Sequence, residues 1–484
     1  EIDLNSSKST VISEHFKQLD PIFRPKSIAV VGASPAVANM GKEFLEGLED
    51  IGFSGNLYAV NPGLKSFAHY PTYPTVQEIP RPVDHVIISV PAPVVPRIIE
   101  DCVAKKVRSI AIFTSGFSES GRDEGRILED KIREIISDNS TRVIGPNCMG
   151  LYCPSSGLAF YAHSPKKKGE LAFISQSGGL AINFIELMDR KKVGFSKAVS
   201  YGNECDLQSL DFFQYLADDP DTKIIAAYLE GVKDGPRFIR VLKEAARKKP
   251  IILLKGGTTE EGVRAVTSHT GALAGSLAIW EAVFKQIGVI QVKGVEELVD
   301  TVLAFAYLPP PRGHNLGLIS ASGGLSVLYT DACIKKGFKV PILSDEVRTD
   351  LEKIIQKVGT SAKNPLDLAA TFFYSELIGQ IIKLVDTDRN VDALLLQISL
   401  EYIISELEKY PEYGEIFNQA IINAKKAVRK PFLVVLPYSI DDTKRAQFEE
   451  VLMASGIPVY PSVERAATAL NNLIRYRETK ESVN

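Results

Sequence analysis

The feature that most constrains the fold is a unit that recurs along the whole chain: a short β-branched run, a turn of small polar residues and an amphipathic helical stretch. Such alternation predicts α/β domains with parallel sheets whose two faces are covered by helices. The runs are almost continuous in Val, Ile and Leu, which is typical of strands buried on both faces. The strands predicted in this way are Ser27–Val31, Leu57–Val60, His85–Val90, Ser109–Phe113, Arg142–Ile144, Glu170–Ile174, Ile224–Leu229, Pro250–Leu254, Leu316–Ile319, Ala393–Ile398 and Pro431–Leu436.

Two segments break this alternation and predict domain boundaries. A basic, polar segment at Pro165–Gly169 separates one strand–helix series from the next. The run at Leu308–His314 contains three consecutive prolines, which cannot continue a helix and indicate a linker. We therefore predict an N-terminal extension and three α/β domains, which occupy residues 1–20, 21–150, 165–308 and 315–475.

Charge and composition exclude several classes of protein. The 56 Lys and Arg against 59 Asp and Glu leave no basic excess for nucleic acid or an anionic membrane. Apolar stretches such as Val86–Val95 are short and interrupted by proline, and the acidic, polar N-terminus is unlike a secretory signal. The five cysteines form no CxxC pair, so neither a disulfide framework nor a zinc site is expected. We expect a cytoplasmic protein that binds no metal, nucleic acid or membrane.

The first predicted strand ends in a glycine-tight turn. Gly32 and Ser34 lie in the segment VVGASP, where backbone N–H groups and the dipole of the next helix point towards a phosphate. The turn lacks two glycines of a dinucleotide fingerprint, and the second strand ends in Asn61 and Pro62, where an NAD-binding domain has an acid. A nucleotide-bearing ligand other than NAD is favoured. Lys65 is then a phosphate contact or, alternatively, a solvated surface lysine.

Further candidate ligand residues follow the next strands of the first domain. In an open parallel sheet, the ligand lies at the carboxyl ends of the strands near the point where the strand order reverses. Ser89, Pro91 and Ser115 are expected in loops at that edge. Asn147, in GPNCMG, either hydrogen-bonds the ligand or stabilises its own turn.

A nine-residue segment occurs twice. Phe173–Ala181 reads FISQSGGLA and Leu318–Ser326 reads LISASGGLS, each a strand, a Ser-x-Ser-Gly-Gly turn and the start of a helix. Two parallel sheets that each need a small-residue turn would explain the glycines but not the serines, so we infer two related domains. Each turn is either an ordinary serine N-cap or an anion-binding site, and the repetition favours the anion-binding site. The candidate phosphate-binding residues are Ser175, Ser177, Gly178 and Gly179 in the first SGG turn and Ser322, Gly323 and Gly324 in the second.

The segment SHTGALAG at residues 268–275 carries His269 among small residues. A histidine in such a segment is accessible, and neutral imidazole is a nucleophile towards phosphoryl groups. Its other ring nitrogen needs an acceptor, which Glu230, in YLEG, offers at the end of a predicted strand 39 residues upstream. Because no Lys or Arg lies within SQSGG or SHTGALAG, we expect the helix termini alone to compensate a bound phosphate.

Together, VGAS, GPNCMG, ISQSGG, YLEG and SHTGALAG resemble the α subunit of ADP-forming acetyl-CoA synthetases, within the NDP-forming acyl-CoA synthetase superfamily that includes succinyl-CoA synthetase. The resemblance covers residues 20–475. It implies a Rossmann-like CoA-binding domain, two flavodoxin-like domains and reversible conversion of acyl-CoA, phosphate and ADP into acid, CoA and ATP. It implies that His269 is phosphorylated, that Glu230 hydrogen-bonds it and that both SGG turns hold the phosphate. It implies CoA contacts from Gly32, Ser34, Asn61, Pro62, Lys65, Ser89, Pro91, Ser115 and Asn147.

The resemblance also implies a further module. The family's ATP-grasp module, which binds ADP or ATP and Mg²⁺, has no counterpart in this sequence, so we expect it from a β subunit in an α2β2 assembly or from a fused C-terminal module. The alternatives are a succinyl-CoA-ligase-like enzyme for another acid and a CoA-binding regulatory module without catalysis. The regulatory module would not need His269, Glu230 and both SGG turns together. The acyl group and the choice of ADP over GDP stay open.

Overall fold

A computed structural model describes residues 13–264, 277–356, 358–410 and 412–483, and the chain divides into two compact units. The first unit extends to Asp189 and continues over Gly194–Val292, and the second comprises Arg190–Val193 and the residues from Lys293 onwards. No helix in the described ranges is both long and apolar enough to span a membrane. The domain limits predicted from the sequence stay predictions.

The first sheet of the first unit has six parallel strands in the order β3-β2-β1-β4-β5-β6, which confirms a Rossmann-like arrangement. Its central strands are buried along their whole length, as their continuous apolar sequences predict. The strands are β1 Ser27–Val31, β2 Asn56–Val60, β3 Thr72–Tyr73, β4 His85–Ile88, β5 Ser109–Ile112 and β6 Arg142–Ile144, and the helices are α1 Glu14–Leu19, α2 Met40–Ile51, α3 Val95–Ala104 and α4 Asp123–Ile136.

The second sheet of the first unit has the order β12-β11-β10-β8-β9-β7. Its strands are parallel except β7, which pairs antiparallel with β9. This strand differs from the all-parallel expectation because the chain passes from β7 to β8 of the same sheet without the helical crossover that a parallel connection requires. The strands are β7 Gly150–Tyr152, β8 Lys168–Ser175, β9 Phe195–Ser200, β10 Ile224–Leu229, β11 Ile251–Lys255 and β12 Ile290–Val292, and the helices are α5 Gly178–Arg190, α6 Ser209–Asp218, α7 Gly235–Lys248 and α8 Leu277–Ile287.

The second unit contains a parallel five-stranded sheet in the order β14-β13-β15-β16-β17. Arg465 on its last helix forms an ion pair of 2.6 Å with Asp300 on its first, which ties both to one core. The strands are β13 Leu316–Ser320, β14 Leu366–Asp367, β15 Ala393–Gln397, β16 Phe432–Val435 and β17 Val459–Tyr460. The helices are α9 Val295–Tyr307, α10 Gly323–Lys335, α11 Asp345–Ile354, α12 Ser375–Thr387, α13 Leu400–Lys409, α14 Tyr413–Ala427, α15 Asp442–Ala454 and α16 Val463–Val483. Short 3-10 turns lie at Asp20–Phe23, Ala92–Val94, Ser118–Ser120 and Ala369–Phe373.

Candidate functional site

The carboxyl ends of β1, β2, β4, β5 and β6 lie along one edge of the first sheet, which we call the first edge. The strand order reverses between β1 and β4, the point at which open α/β sheets bind their ligands. The loops of this edge carry all nine residues that the sequence predicts for CoA. These are Gly32, Ser34, Asn61, Pro62, Lys65, Ser89, Pro91, Ser115 and Asn147.

The loop after β1 is shaped by a glycine and an asparagine. Gly32 has a φ of +99°, and a Cβ there would lie 2.1 Å from the carbonyl oxygen of Ser89, so the two loops approach as only glycine allows. Asn39, which sequence reasoning missed, accepts the N–H groups of Ser34 (3.1 Å) and Lys42 (2.8 Å) at Oδ1. Its Nδ2 donates to the carbonyl oxygen of Gly32 at 3.0 Å. The signal available was an N-cap residue directly before the helical run.

The two candidate asparagines of the first edge are engaged within the protein. Asn61 donates to the carbonyl oxygen of Ala33 (2.9 Å) and accepts the N–H of Gly63 (2.9 Å). Asn147 has a φ of +58°, and its Nδ2 lies 3.5 Å from Oδ1 of Asn203. These bonds support roles in shaping the loops, and ligand contacts by the two side chains stay predictions.

The carboxyl ends of β8, β9, β10 and β11 form a second edge, where the first SGG turn begins α5. Ser175 Oγ donates to the carbonyl oxygen of Ser177 at 2.7 Å, and Ser177 Oγ accepts the N–H of Leu180 at 3.3 Å. Gly179 is exposed, and a Cβ there would meet no atom within 4 Å, whereas a Cβ on Gly178 would lie 2.9 Å from the side chain of Met149. The helix therefore begins with open space at Gly179, a geometry that suits an anion at the helix N-terminus, and the phosphate-binding role of this turn stays a prediction.

The first and second edges meet inside the first unit. The N–H of Asn203, after β9, donates to the carbonyl oxygen of Pro146, after β6, at 3.0 Å. Gly202 has a φ of +56°, and a Cβ there would lie 2.1 Å from the same oxygen. The N–H of Met149 donates to Ser200 Oγ at 3.1 Å. Ligands at the two edges would thus be neighbours.

The Asn203 side chain reinforces this junction. Its Nδ2 donates to Glu119 Oε2 and to Glu129 Oε2, the latter at 3.0 Å. Glu119 Oε1 in turn accepts the N–H of Phe117 at 3.2 Å, in the loop that follows β5. One buried amide therefore connects the β9 loop to the first-edge loop that carries Ser115, a role that sequence reasoning missed.

Glu230 lies at the second edge beside the first SGG turn and is 5% exposed. Its backbone N–H donates to Oε1 of Gln176 at 2.9 Å, so the variable residue of Ser-x-Ser connects β8 to β10. The Tyr228 hydroxyl donates to Glu230 Oε1 at 3.3 Å. The structure thus brings Glu230 and the turn together, whereas His269 lies in residues 265–276, outside the described residues.

A buried cation that sequence reasoning missed lies beside Glu230. Lys255, the last residue of β11, is 4% exposed, and its Nζ donates to the carbonyl oxygens of Glu230 (2.7 Å) and Gly256. Burial lowers the pKa of Lys255 to about 8, while the Glu230 carboxylate opposes that shift. A lysine therefore contributes positive charge at this edge, and the expectation that helix termini alone compensate a bound phosphate stays a prediction.

The second SGG turn has similar local geometry within the second unit. Ser320 Oγ donates to the carbonyl oxygen of Ser322 at 3.4 Å, and a Cβ on Gly324 would meet no atom within 4 Å. A Cβ on Gly323, by contrast, would lie 2.6 Å from Oδ2 of Asp367. The start of α10 is therefore open at one glycine and adjoins a carboxylate at the other. Within the described ranges, no three His, Cys, Asp or Glu side chains are grouped to hold a metal ion.

Two family models match the chain. A CoA binding domain covers residues 26–154, and a succinyl-CoA ligase like flavodoxin domain covers residues 168–305. The first match covers the first sheet and β7, and the second covers β8 to β12 of the second sheet and extends into α9.

Curated and solved proteins match nearly the whole chain. The acetate–CoA ligase (ADP-forming) II subunit α of Pyrococcus furiosus is 37% identical over 459 residues, which are 94% of this chain and 97% of that subunit. The acetate–CoA ligase (ADP-forming) I of Archaeoglobus fulgidus is 35% identical over 95% of this chain, which spans 64% of that longer relative. A solved chain of the dinucleotide-forming acetyl-coenzyme A synthetase 1 of Candidatus Korarchaeum cryptofilum, in complex with phosphate and ADP, is 32% identical with a TM-score of 0.83. The match covers 96% of this chain and 98% of the solved chain.

Proposed function

Because this chain belongs to the family of ADP-forming acetate–CoA ligase α subunits, we propose that it handles CoA and phosphate in the reversible reaction of acyl-CoA, phosphate and ADP to acid, CoA and ATP. One observation carries this proposal. The first edge, with its glycine-tight ligand crevice, adjoins an open helix N-terminus that lies beside Glu230. A thioester and a phosphate bound at these edges would be close enough to react.

In the proposed first step, a phosphate oxygen attacks the thioester carbonyl carbon. The C–S bond breaks, acyl phosphate forms and CoA leaves as a thiolate. The N–H groups at Gly178 and Gly179 and the dipole of α5 stabilise the phosphate charge, and the space in front of Gly179 supports this role.

In the second step, His269 attacks the phosphorus of the acyl phosphate, the P–O bond to the acyl group breaks and the carboxylate leaves. Glu230 accepts a hydrogen bond from the other imidazole nitrogen and stabilises the positive charge that develops on the ring. The hydrogen bond from the Glu230 N–H to Gln176 Oε1 keeps Glu230 beside the SGG turn and supports this role for its carboxylate. Phosphohistidine then transfers its phosphoryl group to ADP.

The nucleotide and its Mg²⁺ are assigned to an ATP-grasp partner. We place the enzyme in the cytoplasm. We place the ATP-grasp partner in a β subunit of an α2β2 assembly or in a fused C-terminal module. Support comes from relatives of both kinds, since one is named as an α subunit and another is a longer single chain. The names of these relatives support acetate as the acid.

The CoA part of the proposal is tested by calorimetric titration of the full chain with CoA and with NAD. We expect heat from CoA and none from NAD, because the residue directly after β2 is Asn61 instead of an acid. Tight NAD binding without a CoA signal would refute this assignment.

The phosphoryl part is tested with acetyl-CoA and labelled phosphate. Wild-type chain should acquire acid-labile, base-stable label, and His269→Ala should acquire none. His163→Ala is the matched control, because the His163 side chain is 90% exposed and its backbone N–H is bound by Asp50 near the end of α2. Label that persists in His269→Ala at the wild-type level would mean that another residue carries the phosphoryl group.

A further inference from the structure

We propose that Lys255 is a positioning residue of the phosphoryl-transfer site, which holds Glu230 in place and keeps a cation beside its carboxylate. The proposal rests on the function proposed above for the second edge. It adds a residue outside the SGG turns, YLEG and SHTGALAG.

Lys255 occupies a position that normally excludes lysine. It ends the strand IILLK, whose five residues are all buried, and it pairs in register with Leu229 of β10. Removing an ammonium group from water costs free energy unless acceptors replace the water. A lysine there is therefore expected to have a specific set of partners.

Those partners fix the Glu230 backbone from two sides. β10 ends at Leu229, so Glu230 lies just beyond the named strand. Its N–H is bound by Gln176 Oε1 at 2.9 Å, and its carbonyl oxygen is bound by Lys255 Nζ at 2.7 Å. Side chains from the β8 loop and from β11 thus clamp one peptide segment and fix the position from which the Glu230 carboxylate projects.

Lys255 also contacts the helix that follows the histidine segment. Its Nζ lies 5.2 Å from the ring centroid of Trp280, a cation–π contact to the first turns of α8. Trp280 packs edge-on against Phe238 of α7, with ring centroids 5.3 Å apart. Residues 265–276 precede α8 in the sequence, so Lys255 connects Glu230 to the described helix that follows the segment bearing His269.

The charge of Lys255 suits this position. Two titratable side chains lie near Lys255 on β10 and the loop after it: Glu230, and Tyr228, whose hydroxyl donates to the Glu230 carboxylate. From α8, Lys255 is contacted by the uncharged ring of Trp280. The pKa of about 8 means that the free protein keeps the cation below that pH. A phosphoryl group brought to the same edge would favour the charged lysine further.

Two substitutions separate the charge from the packing. Lys255→Met keeps an unbranched chain without charge, and Lys255→Arg keeps the charge at every accessible pH. The readout is the rate of label incorporation into His269 from acetyl-CoA and labelled phosphate, measured from pH 6 to pH 10. We expect the labelling rate of the wild-type chain to fall above about pH 8. The labelling rate of Lys255→Met should be lower by on the order of ten- to a hundredfold and should show no such fall. The labelling rate of Lys255→Arg should also show no fall at alkaline pH.

The chain offers a matched control at the other end of the same strand. Lys249 is half-buried, has a pKa lowered to about 8 by burial and donates to the carbonyl oxygens of Leu216 (2.6 Å) and Asp219. Lys249→Met should therefore lose stability without changing the labelling rate or its pH profile. CoA affinity, measured by calorimetry, should be unchanged in all three variants.

The outcomes distinguish this inference from the function on which it rests. Absence of label in the wild-type chain contradicts the proposed function. With a labelled wild type, an unchanged rate and pH profile in Lys255→Met overturns the role of Lys255. If Lys255→Met does not fold, a Lys255→Arg variant that keeps the wild-type alkaline fall overturns it equally.

Discussion

Replacing Asn203 by aspartate should weaken the junction between the two edges in a pH-dependent way. Asn203 is 6% exposed, and its Nδ2 donates to carboxylate oxygens of Glu119 and Glu129, the latter at 3.0 Å. Asn203→Asp is nearly isosteric but exchanges this donor for a third carboxyl group. The change therefore tests whether charge at this position, and not its shape, holds the junction together.

The magnitude follows from these distances. Two negative charges about 3 Å apart repel by roughly 5 kcal/mol at an effective dielectric constant of about 20. Proton uptake relieves this cost, so the pKa of the introduced carboxyl rises above its unfolded value of about 3.9. Relative to the wild type, the free energy of unfolding of Asn203→Asp is then retained at low pH. It declines by about 1.4 kcal/mol per pH unit as the pH rises from about 4 towards 7. Asn203→Ala, which only loses the donor, should cost about 3 kcal/mol with no such slope.

Urea unfolding followed by the fluorescence of Trp280 measures this effect. Trp280 is the only tryptophan of the chain and is buried in the first unit, which also contains Asn203. Asn56→Asp, at the exposed first residue of β2, is the control and should change stability little at any pH. If Asn203→Asp lowers the free energy of unfolding equally at pH 5 and pH 8, the electrostatic reasoning is wrong.

Three further predictions concern single positions. Burial lowers the pKa of His85 from 6.5 to about 4, so the unfolded chain binds a proton that the folded chain does not between these pH values. The free energy of unfolding should fall by roughly 3 kcal/mol from pH 7 to pH 4, and His85→Gln should flatten that slope in urea titrations. Gly32→Ala should weaken CoA binding by on the order of tenfold or more, whereas Gly52→Ala, with a similar φ of +95° but open space around it, should cost only stability. Gly323→Val must displace Asp367, and if the second SGG turn helps to hold phosphate, phosphohistidine formation should fall by on the order of ten- to a thousandfold at unchanged CoA affinity. A normally folded Gly323→Val chain that is labelled at the wild-type rate would assign that turn a structural role only.

Local sequence patterns predict much of this architecture. Three predicted strands, Ser27–Val31, Arg142–Ile144 and Ile224–Leu229, agree residue for residue with β1, β6 and β10. A strand buried on both faces must be continuously apolar, and a turn of small residues must follow it, so both signals lie within a few residues. The structure places the first SGG turn and Glu230 at one edge, because β8 and β10 are adjacent parallel strands that end together.

Strand β9, Phe195–Ser200, was missed for a reason that no local pattern reveals. Its central residue Lys197 is 1% exposed, and its Nζ binds Asp219 Oδ2 at 2.7 Å. In the sequence FSKAVS this lysine indicates a solvated segment, because lysine is almost never fully buried unless it is paired. The compensating carboxylate comes from the loop after α6, 22 residues later.

The sequence by itself therefore determined the alternation of strands and helices, the turns at the strand ends and the small residues that give ligands access. The tertiary structure decided which strands are neighbours, with β11 beside β10 and β8 beside both β10 and β9. That order brings Lys255 to Glu230 and Asn203 to the carboxylates of the first edge. Backbone conformation and hydrophobic periodicity are properties of contiguous residues, whereas a buried charge or amide depends on partners that only packing brings within hydrogen-bonding distance.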